Sequence, residues 1–350
     1  MEGLSSLAFE TAALEAAVDV DTAIAEQRRR DEPVPTGESV DVRRQVFKTI
    51  VLVAGFGLLA AIAVTVVQFI FGASGMNSVT WIIAALMMIP LAVAEIRNFR
   101  GRRRELGERW YRLSRFAEVN RMTHVISEPA AQHPITRFHH GGPLAVRDKL
   151  NAPQRAGLEV GNYYYSKTLG RSPVEHGSCY VSFEIPSGVP PMTLITRLGD
   201  VWGQPAAPQP AQRELPVDAD FDGQVRVYSE PEDDTAVRLL LTPEVREEVQ
   251  AAARWCDIAI LDRRIYIMAR KALPLSDPLF WRWVSDLGRL VGVLGHPNAQ
   301  APAVSPTHGA AGGGEREALF ATPKSGRSFV IGCLVIVLGL AAAAVVTVLS

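Results

Sequence analysis

Four histidines, His124, His133, His139 and His140, are the densest group of potential metal ligands or bases in this 350-residue chain. A zinc site would need His or Cys ligands at set spacings on defined elements, often with a carboxylate. These histidines fall in a stretch broken by Pro129, Pro134 and Pro143 and followed by Gly141-Gly142, which predicts an exposed or lightly packed loop. His176, Ser178 and Cys179 place a base beside two nucleophiles. Side chains so close in sequence seldom face one another, and Cys179 reads as a small core residue of a strand. Asp218, Asp220 and Asp222 before Gly223 match the first half of a calcium loop, but Ser229 stands where the bidentate glutamate belongs, with Glu230 one later. A solvated loop is the expectation. Tyr163-Tyr164-Tyr165 with Trp202 could form an aromatic binding surface, although strand packing explains the same residues. The chain has neither a glycine-rich phosphate loop nor a Gly-x-Ser-x-Gly elbow. No catalytic residue, metal ligand or cofactor is expected.

The strongest charge feature is basic. Arg97, Arg100, Arg102, Arg103, Arg104, Arg109, Arg112 and Arg115 set eight arginines against Glu105 and Glu108. Such a segment can bind anionic headgroups at about 1 kcal/mol per basic residue near a membrane, or fix the topology of spans beside it. The whole chain carries a formal net charge of −1, which argues against a nucleic-acid partner. Anionic membrane lipids and a protein partner are the expected contacts.

Those arginines follow two apolar runs, Ile50–Phe71 and Val79–Ala94. At about 1.5 Å rise per residue the first run spans roughly 33 Å, enough to cross a hydrocarbon core. The second is near the lower length limit and holds Pro90, which a span tolerates where neighbours re-satisfy the backbone. Gly72–Ser78 joins them without charge, whereas Arg43, Arg44 and Lys48 precede the pair. Basic residues stay cytoplasmic, so both feet of this hairpin are expected inside. Ser328–Leu349 is a third uncharged run, preceded by Arg316, Lys324 and Arg327. The expectation is a multi-pass cell-membrane protein with three transmembrane helices, its N-terminus and main domain cytoplasmic. Met1–Gln27, with acidic residues and no long apolar centre, is not expected to be a signal peptide.

Between the spans the pattern predicts a cytoplasmic α+β domain with a mostly antiparallel sheet. Residues 1–46 form an N-terminal segment, partly disordered, in which Leu4, Leu7, Leu14 and Val18 could share a face of a weak amphipathic helix able to dock a partner. The hairpin occupies 47–97, and a basic helical stalk 98–122 carries the stripe Phe99, Leu106, Trp110, Leu113 and Ala117. In the domain, 123–296, strands are expected at Tyr163–Leu169, Tyr180–Ile185, Met192–Leu198 and Gln224–Tyr228. Thr123–Asn162 has weak periodicity, and Gly203–Arg213 reads as a loop. Thr242 caps a helix opened by Pro243, Ile258–Leu261 and Ile265–Met268 form a hairpin, and Asp277 caps a last helix from Pro278. A flexible linker, 297–327, leads to the C-terminal span, 328–350. Cys179, Cys256 and Cys333 lack metal-ligand spacing.

Phe221, Val225-Arg226-Val227-Tyr228-Ser229, Asp234, Ala236, Leu239-Leu240-Leu241-Thr242-Pro243-Glu244, Asp257-Ile258-Ala259-Ile260 and Arg264-Ile265-Tyr266-Ile267 together resemble part of an uncharacterised bacterial membrane-protein family. The resemblance covers Phe221 to Ile267 and implies two N-terminal spans with a cytoplasmic α+β domain. It implies no activity. The reading that follows is a membrane-tethered binding or scaffold module. The alternatives are a membrane-surface enzyme, with a site assembled from residues such as His139, His140 and Asp220, and an accessory subunit of a transport or envelope complex.

Overall fold

The computed structural model of the chain describes residues 7–19, 21–22, 97, 101, 104–139, 141–169, 172–186, 188–197, 206–253, 255–295 and 319. The chain divides into two compact units, Met1–Val304 and Ser305–Ser350; of the second only Leu319 is described, helical and buried. The three apolar runs and the connecting turn lie outside the described residues, and among those described no helix is long and apolar enough to cross a membrane.

The first unit is built on one nine-stranded sheet whose pairings are all antiparallel. The α+β class with an antiparallel sheet is therefore as expected. In chain order the elements are a single helical turn α1 (Ala12–Glu15), the helix α2 (104–119), β1 (Thr123–Pro129), a 3-10 turn (Pro134–Phe138), β2 (Gly142–Ala152), β3 (Leu158–Leu169), β4 (Ser172–Glu184) and β5 (Met192–Thr196). Then come β6 (Arg213–Glu214), α3 (Ala219–Gln224), β7 (Val225–Ser229), a second 3-10 turn (Pro231–Asp233), α4 (Asp234–Leu240), α5 (Pro243–Ala253), β8 (Cys256–Leu261), β9 (Arg264–Ala269) and α6 (Pro278–Gly295). The strand order is β1-β2-β3-β4-β9-β8-β5-β7-β6.

Local chemistry explains the firmest elements. The β8–β9 hairpin closes through Asp262-Arg263 with φ of +49° and +60°, the left-handed pair that a two-residue turn needs to match strand twist. The Thr242 hydroxyl accepts from the amide of Val245, and Asp277 accepts from Leu279, so both expected helix caps are present. The buried face of α6 is broad, with Phe280, Trp281, Trp283, Val284, Leu287, Leu290, Val291 and Leu294.

Thr123–Asn162 differs most from expectation. It holds β1, β2 and the start of β3 despite its prolines. Pro129 ends β1, and Pro143 lies in β2 beyond the last pairing with β1, so neither interrupts that ladder. The Asp triplet is not a loop either: Asp218 caps α3, accepting from the Asp220 amide, while the Asp222 carboxylate accepts from the Val217 amide. In the N-terminal segment the described residues are helical at α1 and at 21–22.

Strand alternation divides the sheet's side chains into two layers. One carries Tyr163, Tyr165, Tyr180, Tyr266, Met268 and Ala259, which pack with Ile135 and Phe138 of the 3-10 turn and with Ala206. The opposite layer carries Cys179, Val181, Phe183, Ile258 and Ile267, all buried. On the helical side α5 packs on β8 and β5 and against α6.

Candidate functional site

The predicted site residues scatter into separate environments. Arg100, Arg102 and Arg103 lie outside the described residues, and Arg97 is helical and exposed. Arg104 pairs with Glu108 at 3.0 Å and Arg115 with Glu118 at 2.7 Å, both along the surface of α2. Arg112 is half-buried on α2. Arg109 turns toward the sheet and meets Asp148 at 3.3 Å. Part of the basic helix is thus engaged with acids of its own chain.

Asp148 is unusual. It occupies a bulge in β2 with φ of +53°, is almost fully buried, and has one carboxylate oxygen without a hydrogen bond. Burial pushes its carboxyl above the ordinary value, against the opposing charges of Arg109 and Arg147. The Arg147 guanidinium lies 4.2 Å from the centroid of Tyr164 and 3.7 Å from the Glu175 carboxylate.

The histidines also part company. His139 stacks on Tyr163 and Tyr165, with ring centroids 5.0 and 4.8 Å away, and His176 stacks on Tyr165 from 5.5 Å. Burial pushes both phenols, Tyr163 and Tyr165, up to about 12, so the two hydroxyls stay protonated at physiological pH. His124 shares a 3.0 Å hydrogen bond with Ser114 of α2. His140 and Trp202 lie outside the described residues. Asp220 is exposed on α3, away from the aromatic column. Among the described residues no three His, Cys, Asp or Glu side chains are grouped to hold a metal.

One histidine does join a polar network that the sequence reading did not assemble. The Ile135 amide donates to Nδ1 of His133, so the neutral ring carries its proton on Nε2, 2.9 Å from Glu159 Oε1. The Tyr180 hydroxyl donates to the same oxygen at 2.9 Å. Burial alone would raise the Glu159 carboxyl, but the hydrogen bonds from His133 and Tyr180 and the charge of Lys149 act against it, and the carboxyl lies below the ordinary range. The network pins the 3-10 turn to β3 and β4. The neighbouring candidates are likewise structural: Ser178 donates to the Ala269 carbonyl at 2.7 Å, and burial pushes the Cys179 thiol well up, where it is a poor nucleophile.

The arrangement best suited to recognition lies where residues 7–15 meet the domain. Leu7 and Leu14 are buried, Phe9 is half-buried, and Ala8 and Glu10 between and beyond them are exposed. Phe9 stands 4.9 Å from Trp281 of α6 and 6.2 Å from Phe116 of α2, and Arg155 covers its other side at 4.7 Å. The Arg155 guanidinium also donates to the Ala8 carbonyl at 2.9 Å. Asn120, 3% exposed, binds the backbone of Glu10 in both directions: it accepts from the amide at 3.0 Å and donates to the carbonyl at 3.1 Å. One side chain thereby reads the main chain while an aromatic recess reads a side chain two positions from Leu7. The sequence marked Leu7 and Leu14, but Phe9 and its clamp residues were legible only from the fold.

Compared with family models, with curated proteins and with solved structures, the chain finds no match.

Proposed function

We propose that this chain is a membrane-tethered binding or scaffold module that holds a protein partner at the cytoplasmic face. The observation that carries the reading is the groove beside Asn120, which takes a polypeptide segment by main-chain hydrogen bonds and apolar recesses, the usual division of labour in peptide recognition. The tether rests on the apolar runs Ile50–Phe71, Val79–Ala94 and Ser328–Leu349 and on the arginines beside them, with the resemblance over Phe221 to Ile267 in support. In this reading Arg97, Arg104, Arg112 and Arg115 face anionic headgroups, while Arg109 ties the stalk helix to the sheet.

Proximity labelling in cells tests the proposal, comparing the full chain with one lacking residues 123–296. Loss of a defined set of neighbours on deletion is the expected result. An unchanged set would overturn the scaffold reading, and extraction of the full chain from membranes by alkaline carbonate would overturn the tether.

A further inference from the structure

We infer that the groove formed by Asn120, Phe116, Trp281 and Arg155 is an exchangeable peptide site, closed in cis by residues 7–15 and opened by a partner peptide of the same chemistry. This deepens the proposed binding function and rests on it.

Three observations point the same way. First, the walls are held by the domain and not by the segment. Asn120 donates to the Phe116 carbonyl as well as to Glu10, and the Trp281 indole donates to the Leu275 carbonyl at 2.8 Å. The Trp281 and Phe116 rings pack against each other with centroids 4.3 Å apart and planes tilted by 36°. The recess is therefore pre-organised, which removes much of the ordering cost of binding. Second, burial in the segment alternates over Leu7–Glu10, so extended backbone presents every second side chain inward, and a single helical turn then delivers Leu14. That is the pattern of a short linear motif. Third, the chain between Thr22 and Arg104 contains the proline-bearing stretch Asp31–Ser39 and the first two apolar runs. A segment joined through so long a connection competes with free ligand at an effective concentration on the order of millimolar or less, which a dedicated partner can exceed in affinity.

The contacts define what the partner must show. An aliphatic residue comes first, an aromatic two positions later, and next a residue with both a free amide and a carbonyl. The side chain at that last position points outward, since Glu10 is exposed. Proline there would remove the donor to Asn120 and leave a buried acceptor unmet.

The test uses the full chain in detergent and a fluorescent peptide spanning Leu7–Glu15, followed by anisotropy. The Phe9→Ala chain, whose own segment has lost its anchor, should bind the peptide at least about tenfold more tightly than the unaltered chain does. A Glu10→Pro chain opens the groove by a second route and should behave alike, which covers the case of one variant failing to fold. In the peptide, Glu10→Pro should weaken binding about tenfold or more, whereas Glu10→Ala should stay within about twofold. Equal binding of the two peptides, or no binding to either opened chain, would overturn the inference. Domain-dependent labelling alongside absent peptide binding would refute the cis-closed site alone; labelling unchanged by the deletion together with absent peptide binding would refute the wider reading.

Discussion

Two aspartate–arginine pairs in this domain each bury the carboxylate, in opposite settings. Asp257 and Arg270 sit on adjacent strand ends with both partners almost fully enclosed. Each oxygen of Asp257 accepts twice: Oδ1 from the Thr196 amide and Arg270, Oδ2 from the Ala206 amide and Arg270. Arg270 further donates to the Thr196 carbonyl at 2.6 Å. The pair fastens the end of β5 and the chain at Ala206 to the β8–β9 hairpin. Asp148 has a looser cation at 3.3 Å, one oxygen without a hydrogen bond and a left-handed backbone. A carboxylate met on both oxygens lets a buried ion pair act as a lock; one with an oxygen unmet is held by the fold at a cost.

Breaking the lock should have the largest effect. Asp257→Ala leaves Arg270 enclosed without its counter-charge, and chemical denaturation should show a loss of about 3–5 kcal/mol. Arg109→Met removes the nearest cation from Asp148 and one tie between α2 and the sheet, with an expected loss of about 1–3 kcal/mol in the same measurement. A smaller effect on stability but a sharper contrast comes from pH. The folded-state carboxyl of Asp148 titrates above its ordinary 3.8, so between those values the folded form holds more protons than the unfolded form. Its contribution is full below 3.8 and is lost as pH rises through the folded value. Asp148→Asn should flatten that decline in melting curves taken across the acid range. Glu159 runs the other way, since its folded value lies below the ordinary 4.5 and its contribution fades only as pH falls. At the bottom of the scale, Arg104→Ala on the surface of α2 should change stability by no more than about 0.5 kcal/mol, marking the baseline for an exposed pair.

Legibility in the sequence followed the range of the interactions. Thr242, Pro243, Asp277 and Pro278 act within a helical turn, and their pattern predicted both helix starts. The β8–β9 pair was likewise visible from alternation, although Asp262-Arg263 lacks the glycine that usually marks such turns. β1 and β2 were not visible, because prolines at strand ends and the bulge at Asp148 break the period on which a strand is recognised. The candidate site was less legible still. Asn120 and Glu10 meet across 110 positions, and His133, Glu159 and Tyr180 come from a turn and two strands. No spacing rule links such residues, so the histidines drew attention by density while the one that joined a network did so through distant partners.

The strand order also has a consequence during synthesis. β4 finds its second neighbour in β9, and the β5-β7-β6 part of the sheet is joined to β1–β4 through the β8–β9 hairpin. On the ribosome, β1 to β4 can zip up as each strand emerges, but they then present the bare edge of β4 until the hairpin has left the exit tunnel. The sheet is complete only once that last hairpin has come between the two halves.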